Sequence, residues 1–168
     1  LIEFIKSGLL FNNNISINTS LIVNSNKKND IFQSAKIKFH IINGKIDFNK
    51  TRFVNDNIGS LQFSNSNLFF KNNELVLNGD MLIDIKNSEN LFSLLNTNKL
   101  SRKIFQTILI NFDYNFSNNR IIFNRVKIDN RDVESEFLTI IDGFNNNNLN
   151  NSIKSRRLLN ELFKAYAG

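Results

Sequence analysis

The sequence predicts a mainly β protein: an antiparallel meander of roughly nine or ten strands, with short helices and a C-terminal amphipathic helix. Three observations predict it. Apolar and polar residues alternate along most of the first two thirds of the chain, the period of a strand with one dry and one wet face. The breaks between these runs are short and rich in Asn, which suits strands that pair antiparallel with their chain neighbours. Helical spacing surfaces only in brief stretches and near the C-terminus.

Taken in order, Leu1-Ile2-Glu3-Phe4-Ile5 reads as a strand rather than a helix remnant. Ile15, Ile17, Thr19, Leu21 and Val23 share one parity, and Ala35, Ile37, Phe39 and Ile41 repeat it with Lys36, Lys38 and His40 opposite. Ile46 with Phe48, Leu61 with Phe63, Leu68 with Phe70, and Leu75 with Leu77 follow as separate runs. Met81, Ile83 and Ile85 make a further segment, then Ile108, Ile110, Phe112, Tyr114 and Phe116. Ile121 with Phe123 and Val126 with Ile128 close the series. Asn43-Gly44 and Asn78-Gly79 are expected hairpin turns, because both central residues of a type I′ turn need positive φ. Asn118-Asn119 is a weaker turn of the same kind, and the segments after the two Asn-Gly pairs echo each other too loosely to define a repeat.

Helices are expected near 88–97, capped by Ser88, and near 132–142, with Glu134 and Glu136 in the first turn and Gly143 as the stop. The clearest helix is 152–168, where Leu158, Leu159, Leu162, Phe163 and Tyr166 form one stripe. Residues 1–144 thus form the sheet segment, 145–151 an Asn-rich linker and 152–168 the amphipathic helix.

Composition narrows function. The 168 residues include no Cys and one His, which excludes disulfides, thiol catalysis, Cys-ligated metals and a two-histidine metal site within this chain. No metal or cofactor is expected, since there is no phosphate loop, nucleophile elbow or metalloprotease motif. His40 reads as a strand-surface residue, and Asp47, Asp84, Asp113 and Asp129 as strand-end acids rather than a catalytic pair. Asp129, Asp132, Glu134 and Glu136 read as helix N-terminal acids, because Arg131 among them opposes a cation. The net charge of +6 gathers toward the C-terminus, where Lys154, Arg156, Arg157 and Lys164 form a basic face. That helix reads as a cap on the sheet ahead of direct membrane contact. Aromatics fall on the apolar parity and lysines on the other, so base stacking on nucleic acid is not expected.

A sheet with one apolar face needs a cover: a second sheet, helices or a ligand. The expected apolar face comprises Ile37, Phe39, Ile41, Ile46, Phe48, Leu61, Phe63, Met81, Ile83, Ile85, Ile110, Phe112, Tyr114 and Phe116. From alternation alone, a closed sandwich is favoured over an open trough.

The order of features also resembles a family. Asn43-Gly44-Lys45-Ile46-Asp47-Phe48, the meander to Ile85, the helix at Leu91–Leu95, Ile108 to Phe116, Val126-Lys127-Ile128-Asp129 and the tail from Arg156 to Gly168 together resemble the C-terminal region of AsmA-like proteins of Gram-negative bacteria. The likeness spans most of the chain, weakly over the first 40 residues, and rests on loose patterns. It implies a curved, taco-shaped sheet with an apolar groove for phospholipid or another acyl-chain lipid. It implies a periplasmic, non-enzymatic role in phospholipid transport or outer-membrane assembly, with envelope protein partners. Anchoring in the inner membrane would come from an N-terminal segment absent from this chain. The resemblance turns the expectation toward an open groove; the rival remains a structural, protein-binding β-sandwich without lipid.

Overall fold

The computed structural model of the chain describes residues 5, 7–25, 31–133, 135–145 and 152–167. Nine strands form one antiparallel sheet: β1 (Ser16–Asn24), β2 (Ser34–Ile42), β3 (Lys45–Asp47), β4 (Arg52–Asn55), β5 (Gly59–Lys71), β6 (Glu74–Ile85), β7 (Thr107–Asn115), β8 (Arg120–Ile128) and β9 (Arg131–Asp132). Among the described residues three α-helices of eight residues or more accompany it: α1 (Ser88–Leu95), α2 (Ser135–Asn145) and α3 (Ser152–Ala167). All nine strands belong to one sheet, so no second sheet closes a sandwich among the described residues.

Each strand pairs with its chain neighbour, with one interruption. β3 and β4 both lie between β2 and β5, so they are two halves of a single strand broken at residues 48–51. Side chains mend the break. Thr51, 2% exposed, accepts from the Lys38 amide at 2.9 Å and donates to the Lys38 carbonyl at 3.1 Å through one hydroxyl. Ser66 Oγ accepts from the Phe48 amide at 2.8 Å, and Asn49 Oδ1 accepts from the Ser66 amide at 2.8 Å. Thr51→Val keeps the shape but orphans both Lys38 backbone groups. It is expected to cost about 1–3 kcal/mol in urea unfolding. A loss within a few tenths of a kcal/mol would mean that solvent reaches those groups.

Turn chemistry corrects several expectations. Asn43-Gly44 is a two-residue hairpin with φ of 51° and 72°. Asn72-Asn73 (51°, 64°) and Asp129-Asn130 (48°, 63°) do the same work without glycine. Only Asn119 of Asn118-Asn119 has positive φ. Asn78-Gly79 is no turn: it lies inside β6, so the suggested echo between the two Asn-Gly segments is not structural. Glycine sits there because a Cβ would stand 3.0 Å from Ser66 Cα, where a bulge between Ser64 and Asn67 pushes β5 inward. β5 is therefore one strand where two were expected, and β8 likewise, with a bulge at Asn124 opposite Asn111/Phe112.

The helix bounds shift too. Asn87, not Ser88, caps α1 by accepting from the Asn90 amide; Ser88 is buried and donates to the Phe105 carbonyl at 2.9 Å. α2 starts later than expected because Arg131 and Asp132 pair with β8 as β9. It runs on through Gly143, whose added Cβ would only reach Leu158 of α3 at 3.6 Å. Of the N-terminal segment only Ile5 is described; it is helical and buried, not a strand. The linker residues 146–151 lie outside the described residues, and Asn145 ends α2.

One face of the sheet carries the apolar parity, and two caps cover its ends. At the hairpin end, Ile5, Leu10 and Phe11 pack over Ile41, Ile46, Leu68, Leu75, Leu77 and Phe112. At the other end, α1, α2, α3 and Phe105 pack over Ile85, Val126 and Ile128.

Candidate functional site

Between the two caps the apolar face lies partly open. Register brings Ala35, Phe53, Leu61, Ile83, Ile108 and Ile128 into one row across β2, β4, β5, β6, β7 and β8. Phe63, Met81, Ile110 and Val126 make the next row. Most of these side chains are only half-buried, while Val126 and Ile128 lie under the helical cap. Beyond Ala35 stands β1, all nine of whose residues are exposed, Leu21 at 55%. Aromatic rings cross this floor: Phe32 meets Phe53 at 5.2 Å, Phe53 meets Phe63 at 6.3 Å and Phe63 meets Phe112 at 5.8 Å between centroids.

At the helical end the floor runs into a cavity of about 270 Å3. Ile31, Phe32, Leu61, Ile83, Leu94 and Phe163 are among its walls. Its two polar side chains are engaged elsewhere. Asn55 donates to the Ile31 carbonyl and accepts from the Asn57 and Ile58 amides, and Ser60 accepts from Arg52. The other lining residues are almost all apolar, so the cavity offers a hydrocarbon surface. Apolar cavities of roughly 150 Å3 stay dry and bind benzene-sized guests, so this one suits a hydrocarbon segment.

The expected face residues fall as follows. Ile41, Ile46, Ile85 and Phe112 are buried beneath the caps. Ile37, Phe39, Phe48, Leu61, Phe63, Met81, Ile83, Ile110, Tyr114 and Phe116 are half-buried. Phe39 meets Phe48 in a tilted pair at 5.3 Å, and Tyr114 meets Phe116 edge to face at 4.8 Å. Of the helix stripe, Phe163 is buried between Phe92 and Phe105, and Leu162 and Tyr166 pack at the same cluster. Leu158 faces Gly143 and Leu159 lines the cavity. Arg156, Arg157 and Lys164 are exposed, Arg157 pairing with Glu161 at 3.2 Å; the Lys154 side chain lies outside the described residues. Phe32, Phe53, Leu91 and Leu94 escaped sequence reasoning as site residues. The signal for Phe53 was Arg52-Phe53-Val54 alone, too short to define a period.

The charged groups lie apart from this floor. His40 Nδ1 and Asp47 Oδ1 stand 2.8 Å apart on the opposite face, and Asp47 also accepts from the Asn49 amide. Asp129 is not a helix-terminal acid; it accepts from the Gln106 and Thr107 amides and shapes the β8–β9 turn. Asp132 sits in β9, where hydrogen bonds from Arg125 at 2.9 and 3.0 Å hold its carboxyl below the ordinary range. Glu134 lies outside the described residues, as does the side chain of Glu136. Burial, with the Asp129 charge, raises the Tyr166 phenol. Among the described residues no group of three His, Asp or Glu side chains could hold a metal ion. Lys36, Lys38 and Lys45 lie on the face opposite Phe39, Phe53 and Phe63, a face they share with Phe69.

No protein-family model matches the chain, and no curated protein and no solved structure matches it.

Proposed function

We propose that the chain is a non-enzymatic lipid-binding segment, holding acyl chains along its open apolar floor and in the cavity at the helical end. The observation that carries this reading is the continuity of the two: a half-covered apolar face running into an apolar cavity of about 270 Å3. Each methylene that leaves water there gains about 0.8 kcal/mol, while a headgroup stays wet at the rim beside β1. Nothing in such a binding mode sets a direction; the floor lets a lipid slide without crossing water. The separation of these lysines from the floor aromatics Phe53, Phe63 and Phe112 supports lipid over nucleic acid as the ligand. The AsmA-like resemblance supports a place in the periplasm and a role in phospholipid transport or outer-membrane assembly. It also supports an association with the inner membrane. No helix among the described residues is itself long and apolar enough to cross a membrane.

The test is mass spectrometry of lipids extracted from protein purified without detergent, beside a β-sandwich domain of similar size. Stoichiometric phospholipid is expected; a stable, lipid-free monomer would overturn the reading. A second reading has its own observation. The edge strand β1 is exposed along its length and carries no charged residue, so it lacks the usual protection against edge pairing. A lipid-free protein that captures an extended peptide along β1 would favour a structural, protein-binding sheet instead.

A further inference from the structure

We propose that the helical end docks on an anionic lipid bilayer, with Leu100 and Ile104 entering the apolar layer and Lys99, Arg156 and Lys164 meeting lipid phosphates. Leu100 and Ile104 are 92% and 75% exposed, more than any other large apolar side chain among the described residues. Both belong to one short segment, residues 99–104, which opens as a 3-10 turn at Lys99–Ser101.

That segment is pinned rather than loose. Arg102 donates twice to the Thr97 carbonyl, at 3.2 and 3.1 Å, and its guanidinium lies 5.9 Å from the Phe92 ring centroid. Lys103 donates to the Tyr166 carbonyl at 3.2 Å and sits over the Tyr166 ring. Asn160 of α3 donates to the Leu95 carbonyl at 3.1 Å, and its Oδ1 lies 2.6 Å from Thr97 Oγ1. Two aliphatic side chains are therefore held out into water by a segment fastened to the fold on either side of them.

The surround is basic. Leu100 shares an open groove of about 570 Å3 with Arg156, Arg157 and Lys164. Glu89 and Glu161 pair with Arg102 and Arg157. Lys99, Lys103, Arg156 and Lys164 have no carboxylate partner among the described residues. A nucleic-acid backbone would satisfy these cations but leave Leu100 and Ile104 in water. The interface of an anionic bilayer satisfies both at once, phosphates outside and acyl chains beneath. Leu95 borders both this groove and the inner apolar cavity, so docking would bring the cavity against the membrane. The docking rests on charge and exposure, and does not require the cavity to hold lipid.

The test is flotation with vesicles of equal parts phosphatidylglycerol and phosphatidylcholine, against vesicles of phosphatidylcholine alone. The native chain is expected to float with the anionic vesicles, less so at high salt. Leu100→Ser with Ile104→Ser, both too exposed to disturb the fold, should weaken binding by about tenfold or more. Lys99→Gln, Arg156→Gln and Lys164→Gln should each weaken it about fivefold. Lys36→Gln with Lys38→Gln, on the sheet, should leave it unchanged. No flotation of the native chain, an unchanged double serine variant, or equal loss from the two sheet lysines would each overturn the proposal. So would preferential binding of an oligonucleotide that displaces the vesicles. Lipid extracted from the purified protein is a separate readout, so the docking and the groove can fail independently.

Discussion

Phe92→Ala is expected to lower the unfolding free energy by about 3–5 kcal/mol, the range for emptying a fully buried aromatic site. Phe92 is 0% exposed and meets Phe105 at 6.0 Å and Phe163 at 5.5 Å, both edge to face. Phe105 stacks on Phe163 at 5.5 Å and meets Tyr166 at 5.9 Å. One aromatic knot thus joins α1, the segment entering β7, and α3, all above Ile85, Val126 and Ile128. The site cannot collapse easily, because its walls belong to separate elements that the ring itself holds together. Phe70→Ala is the comparison: Phe70 is 40% exposed and meets Phe11 in a tilted pair at 5.2 Å. It should cost about 1 kcal/mol, for the smaller area it removes from water. Urea unfolding measures both. Equal losses would mean that the helical end is not one packed unit.

The parity of the apolar residues is legible in the sequence, and it carries the strand continuity as well as the faces. β1, β2 and β7 follow the alternation of Ile17 to Val23, Ala35 to Ile41 and Ile108 to Tyr114. Along β6 the odd positions from Leu75 to Ile85 are apolar or glycine, straight across Asn78-Gly79, with Val76 and Leu82 as the apolar residues of the other face. A turn there had no need to keep parity; an unbroken strand does. Along β5 the parity slips from Leu61 and Phe63 to Leu68 and Phe70, and along β8 from Ile121 and Phe123 to Val126 and Ile128. A one-residue slip with all four side chains on the same face is what a bulge produces. Asn65-Ser66-Asn67, which parts the runs Leu61 with Phe63 and Leu68 with Phe70, has the composition of a loop and the structure of a bulge.

The site was legible only in its floor. Which floor residues end up covered depends on the caps, and caps are set by contacts far apart in sequence. Thr97 to Asn160 and Phe92 to Phe163 are such contacts. Phe112 shows the consequence. By parity it belongs with Phe63 on the groove face, yet it lies at 3% exposure beneath the hairpin-end cap. An aspartate there would unfold the chain whether or not the groove holds lipid, so Phe112 cannot distinguish the two readings. Phe53 and Leu94 can, because they stand where the floor is open and where the cavity begins.

Leu94→Trp should therefore empty the cavity of lipid without unfolding the protein. Leu94 is half-buried and lines the cavity of about 270 Å3, which has room for an indole without displacing its other walls. Filling the void removes the space for an acyl segment and leaves the apolar character intact. Stability should hold or rise, since an unfilled cavity costs contact energy that the ring restores. Excluding two methylenes or more would lower retained lipid about tenfold. Phe53→Ser acts on the other part of the site: it breaks the aromatic row between Phe32 and Phe63 while leaving the cavity volume alone. Lipid retention and thermal midpoint, read on both variants, separate the contributions. Loss in Leu94→Trp alone places the acyl chain in the cavity, and loss in Phe53→Ser alone places it on the open floor. Unchanged retention in both would mean that lipid, if bound, is held somewhere other than this face. The continuity of floor and cavity would then have to be explained by packing alone.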